Sequence, residues 1–200
     1  TPVVRYLEFP GRVRPLAVQP PLRVLVLIAS PSDFPGLDVD AEWEKLNQAL
    51  GDLQRAGRVE VHRMPTGTLA DLQRQLRRND YHVFHFVGHG GYDAQADDGM
   101  LVLEGANRRG QQVSGQDLGV LLHDHRTLRL AVLNSCEGAR GGRTDPYSGT
   151  AQSLVRQGIP AVVAMQFEIS DTAAITLARN FYEAVADGYP LDAAMAEARK

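Results

Sequence analysis

Two side chains in this chain pair a nucleophile with a base. Cys136, the one cysteine among 200 residues, closes the run Leu128-Arg-Leu-Ala-Val-Leu-Asn-Ser-Cys136. His89 closes Tyr81-His-Val-Phe-His-Phe-Val-Gly-His89 and lies between Gly88 and Gly90. A thiol needs a neighbouring base or positive charge to become a thiolate at neutral pH, and imidazole is the side chain that titrates there. Together they can do covalent acyl transfer, with sulfur attacking a carbonyl and imidazole handling the proton. Alone, a cysteine is more often a buried hydrophobe. Three features argue otherwise for Cys136. It follows the apolar run instead of lying inside it, it is flanked by the polar Asn134, Ser135 and Glu137, and it opens a Gly- and Arg-rich stretch, residues 138–148, expected to be mobile. The glycines beside His89 leave its ring without bulky neighbours and let the main chain approach a substrate.

Other chemistry is weaker. A zinc site from His82, His85 and His89 would need residues three and four apart on a strand to converge, and a strand sends them to mixed faces. His85 is expected to be packed or to support the site, and His62, His82, His123 and His125 to lie at the surface or at strand ends. Gly138-Ala-Arg-Gly-Gly-Arg143 lacks the Gly-Lys-Ser/Thr that a phosphate-cradling loop requires. Asp93, Asp97 and Asp98 could hold calcium, although a solvated turn is the simpler reading. The sequence implies no metal and no cofactor.

The elements that must position the pair can be read from apolar patterning. Leu22-Arg-Val-Leu-Val-Leu-Ile-Ala29 is a near-continuous aliphatic run, as in a parallel strand covered on both faces. After the loop Ser30-Pro-Ser-Asp-Phe-Pro-Gly36 come a helix over 39–56, an alternating strand over 58–63, and a helix capped by Thr68 and running to Arg78. The third strand, 81–87, delivers His89. A small hairpin, 99–104 and 111–113, is expected outside the main sheet, followed by a helix capped by Ser114. Strand four, 128–133, delivers Cys136. A helix over 150–157, a fifth strand over 161–165 and a helix from Ser170 to Ala186 complete the pattern. Alternating strands and helices with apolar strands predict an α/β sandwich around a mostly parallel sheet. In such sheets function gathers at the carboxyl ends of the strands, where both His89 and Cys136 fall.

Composition sets the class. With 44% hydrophobic and 22% charged residues a full core is available, and a net charge of −3 gives no sign of a nucleic-acid or membrane surface. No apolar stretch reaches the roughly 18–20 residues that span a bilayer. One cysteine and no signal-peptide pattern at Thr1-Pro-Val-Val fit a reducing, cytoplasmic setting. Residues 1–21 read as a hairpin or linker remnant of a preceding module, and 22–200 as a domain excised from a larger protein.

The chain resembles the CHAT domain, a branch of the caspase-like cysteine peptidases that also include metacaspases, legumains, gingipains and separases. The resemblance rests on Phe84-His-Phe-Val-Gly-His-Gly90, on Leu133-Asn-Ser-Cys-Glu137, and on Gly158-Ile-Pro-Ala-Val-Val-Ala-Met165 with the helices after it. The interval from His89 to Cys136 is 136 − 89 = 47 residues, near the roughly 50 found in caspases. Where many CHAT domains carry Trp-Pro after the fifth strand, this chain has Gln166-Phe167.

The resemblance implies a caspase-like three-layer α/β/α sandwich with about five to six strands, and an endopeptidase acting on protein or peptide substrates. Cys136 would attack, His89 would protonate the leaving amine, and the backbone N–H groups of Gly90 and Cys136 would hold the oxyanion. It further implies substrate-binding roles for Asp33, Asn134, Glu168 and Asp171. The acidic members favour a basic P1 residue by charge complementarity, although a carboxylate at Asp171 also suits a helix start. A regulatory sensor or repeat module, in the same or an associated chain, and a bacterial source complete the expectation. The alternative is an inactive caspase-like scaffold that binds protein partners. A nucleotide-binding α/β domain lacks its motif.

Overall fold

The aliphatic run near the amino end forms β1, Leu22–Ile28, which is buried along nearly its whole length. The structure is a computed structural model and describes residues 18–135, 148–165 and 170–199. The chain continues through α1 (Val39–Arg55), β2 (Val59–Arg63), α2 (Leu69–Arg78), β3 (Val83–Asp93), β4 (Asp98–Glu104), β5 (Gly110–Ser114) and α3 (Gly115–His123). It ends with β6 (Leu130–Ser135), α4 (Ser148–Arg156), β7 (Ala161–Ala164), α5 (Asp171–Ala186) and α6 (Leu191–Ala198).

The helices begin where their capping residues dictate. Asp38, Thr68, Ser114 and Ser170 each accept a hydrogen bond from the backbone N–H three residues on, which satisfies an otherwise unpaired donor of the first turn. Gly188, at φ +81°, follows the end of α5 in the left-handed conformation that glycine adopts at no steric cost.

Five strands, in the order β2-β1-β3-β6-β7, pair in parallel. Helices cover both faces, so each central strand needs apolar side chains on both sides. On one face α1, α5 and α6 bury Leu46, Leu50, Phe181, Tyr182 and Ala194 against Val24, Val26, Val83, Val87 and Val132. On the other, α2, α3 and α4 bury Leu72, Leu76, Leu118, Leu122 and Leu154 against Leu25, Leu27, Phe84, Phe86 and Leu133. The molecule is therefore an α/β/α sandwich with a mostly parallel sheet of seven strands and six helices among the described residues.

Two expectations change. The third strand does not stop at Val87. It runs on to Asp93, and its second half, from His89, pairs antiparallel with β4. The hairpin expected outside the sheet is thus joined to it, because the backbone groups of residues 89–93, past the last β1 pair of Ile28 with Val87, take their ladder partners from β4. That adds β4 and β5 to the five parallel strands. Among the described residues, no helix is long and apolar enough to cross a membrane.

Candidate active site

β3 and β6 are neighbours and run parallel, from Val83 opposite Leu130 to Gly88 opposite Ser135. His89 is the next residue on one strand. Ser135 directly precedes Cys136 in sequence, and Cys136 itself lies outside the described residues, as do Glu168 and the 138–147 stretch. Side chains alternate along a strand, so His89 shares the face of Val87, the one covered by α1 and α5. Asn134, half-buried, stands opposite Val87 in the register and shares that face. Gly90, expected to help hold an oxyanion, is half-buried at the start of the antiparallel ladder, opposite Leu101.

The glycine before the histidine has a steric reason. A Cβ on Gly88 would lie 2.7 Å from Phe86 Cζ and 3.1 Å from the Ala29 carbonyl oxygen. The Phe86 ring fills the space that a side chain here would need, and the β1 backbone closes it from the side.

His89 is only 2% exposed. The loop after β1 covers it, with the Phe34 ring 5.5 Å away at a 33° tilt, and its Nε2 is 2.9 Å from the Pro35 carbonyl oxygen. A carbonyl can only accept, so Nε2 carries a hydrogen and Nδ1 is the nitrogen left outside this bond. The main-chain carbonyl thus fixes the orientation of the ring, as a carboxylate partner can do for a histidine. Phe34 and Pro35 were not singled out from the sequence. A proline in a loop carries no sign that its carbonyl meets a histidine 54 residues away.

The expected acidic residues are engaged. Asp33 accepts from the Gly110 backbone N–H at 2.6 Å and from Arg109 Nε at 3.3 Å. The Gly110 N–H is the chief cause holding its carboxyl below the usual range, with Arg109 adding to it. Asp171, at the first turn of α5, pairs with Lys45 Nζ at 2.7 Å and remains 71% exposed.

The three histidines weighed as a zinc site each have separate partners. His82 Nδ1 accepts from the Arg23 N–H at 2.9 Å, and His85 Nδ1 is 2.6 Å from the Tyr182 hydroxyl inside the α5 face. Burial lowers the pKa of His85 to about 4, so it packs as a neutral ring. The acidic turn also disperses. Asp93 caps the N–H groups of Gln95 and Ala96, while Asp98 turns inward to the Ser153 hydroxyl and the Gln116 N–H. Among the described residues, no group of three or more His, Cys, Asp and Glu side chains is placed to hold a metal ion.

Curated proteins offer no match to the chain. A profile of the CHAT domain matches residues 12–200, nearly the whole length, and takes in the histidine strand, the cysteine strand and the helices that flank them. The chain belongs to the CHAT domain family, whose fold is that of the caspase-like peptidases.

Proposed function

We propose that the domain is a cysteine endopeptidase in which Cys136 and His89 form the catalytic dyad. The observation that supports it most is the β3–β6 register. Gly88 faces Ser135 on adjacent parallel strands, and the two reactive residues are the next ones along each chain. In this reading the Cys136 thiol passes its proton to His89 Nδ1 as Sγ attacks the scissile carbonyl carbon, and the oxyanion rests on the N–H groups of Gly90 and Cys136, donors typically worth about 10²–10³ in rate. Collapse of the tetrahedral species breaks the C–N bond as His89 gives its proton to the leaving amine. Water then attacks the thioester, His89 accepts the water's proton, and the carboxylic product leaves with the thiol restored.

The Pro35 hydrogen bond supports these roles, because it leaves Nδ1 as the nitrogen that exchanges protons. Charge complementarity supports Arg or Lys at P1, through Asp171 and Glu168, with Asn134 as a further contributor. Asp33 is the weakest member of that set, being bonded to Arg109 and Gly110. The setting is a bacterial cytoplasm, with activity regulated by a sensor or repeat module or an associated protein.

The test is cleavage of a peptide library by the domain, with Cys136→Ala and His89→Gln as controls. Cleavage that persists in Cys136→Ala would remove the dyad. One observation favours a second reading, an inactive scaffold that binds partners: His89 is almost wholly covered. Labelling with a peptidyl acyloxymethyl ketone separates the two, since a scaffold thiol should react no faster than free cysteine.

A further inference from the structure

We propose that Asp33 is a positioning residue, which sets the tautomer of His89 by holding the Pro35 carbonyl in place from the turn between β4 and β5. Its relevance to catalysis rests on the reading of His89 as the proton-transfer group, but its effect on the imidazole does not.

The loop from Ser30 to Leu37 is closed at its base. The Ser30 hydroxyl accepts from the Leu37 N–H at 3.1 Å and donates to the Leu37 carbonyl at 3.2 Å. Inside the loop, the Phe34 N–H bonds the Pro31 carbonyl at 3.2 Å. The β4–β5 hairpin supplies the loop's other anchors. Glu104 Oε1 accepts from the Ser30 N–H at 2.9 Å, the Arg108 carbonyl accepts from the Ser32 N–H at 2.8 Å, and Asp33 bonds Gly110 and Arg109. The hairpin itself is mounted on the far half of β3, where Val102 faces His89.

A ring of contacts therefore runs from His89 along the ladder to β4, through the turn to Asp33, and back by way of Phe34 and Pro35 to the imidazole. Asp33 is the one side chain of this loop that grips the turn by charge, and it lies one residue from Phe34 and two from Pro35. The turn is shaped for it. Arg108 has φ +61°, and a Cβ on Gly110 would lie 2.4 Å from Phe34 Cε2, so the turn backbone and the Phe34 ring are in direct contact. Removing the carboxylate frees Gly110 to bond water near the surface. The loop then loses its tether at the point that aims the Pro35 carbonyl.

The experiment compares wild type, Asp33→Ala and Asp33→Asn, labelled with ¹⁵N-histidine and assigned against His89→Gln. The expected wild-type signal is a single tautomer, with hydrogen on Nε2. Asp33→Ala should show a tautomer mixture, and its kcat should fall roughly tenfold or more, with KM changed little, as small misplacements of catalytic groups do. Asp33→Asn keeps an acceptor for the Gly110 N–H and should recover most of both. Thermal unfolding of each variant separates loss of fold from loss of positioning. Two results overturn the proposal: an unchanged tautomer in Asp33→Ala, or a raised KM at constant kcat, which would make Asp33 a substrate-binding carboxylate. If wild type cleaves no peptide, the peptidase reading fails on its own, and the tautomer signal still decides the role of Asp33.

Discussion

Pro35 and His89, 54 residues apart in sequence, meet through one hydrogen bond of 2.9 Å from imidazole Nε2 to the main-chain carbonyl. The bond assigns the two ring nitrogens different jobs. In the proposed mechanism one is spent on orientation, and the other is left for proton transfer.

Because the acceptor is main chain, the proline ring is dispensable to it. Pro35→Ala should retain kcat within severalfold and lose at most about 1 kcal/mol through added freedom of the unfolded chain. His89→Gln should abolish turnover. Steady-state kinetics on a cleaved peptide checks both, and an inactive Pro35→Ala would show that the ring matters more than the carbonyl.

Gly88→Ala places a methyl carbon 2.7 Å from Phe86 Cζ and 3.1 Å from the Ala29 carbonyl. Phe86 is fully buried and has little room to turn. The expected cost is about 1–3 kcal/mol, read from the urea midpoint. Adding Phe86→Leu should recover part of that loss, since the two sites share one space.

Gly99→Ala should be harsher. Its Cβ would fall 1.9 Å from the Thr150 backbone nitrogen, where no side chain can swing aside. About 3 kcal/mol or more is expected, with β4 parting from α4. Hydrogen exchange of the β4 amides reports this, and native-like protection would contradict the packing.

His85 gives a pH dependence with a definite sign. Its folded pKa of about 4 lies below the ordinary histidine value, so between roughly pH 4 and 6.5 the unfolded chain binds the extra proton. Stability from this group is present above that window and declines as pH falls through it, by at most about 1.4 kcal/mol per pH unit. His85→Gln should remove that slope. Chemical denaturation of both proteins at several pH values is the check, and equal slopes would place the buried proton elsewhere.

Most of the layered fold was legible because its signals are local. Thr68, Ser114 and Ser170 marked helix starts that the structure keeps. The apolar runs at 22–29 and 128–133 marked doubly covered strands, since only a two-faced core demands side chains of that kind on both sides. The end of β3 was not legible. Gly90, Gly91 and Asp93 lie beyond the strand expected over 81–87, yet they continue as strand because β4 supplies their backbone partners.

The candidate site divides the same way. The identities of His89 and Cys136, and their places after strand-forming runs, are properties of the sequence, because residue type and polarity along the chain do not depend on folding. What covers His89 and where the Asp33 carboxylate is directed belong to the tertiary structure alone. Hydrogen bonds between residues 54 and 77 positions apart leave no periodic trace in sequence, since they form only after the sheet has brought those segments together.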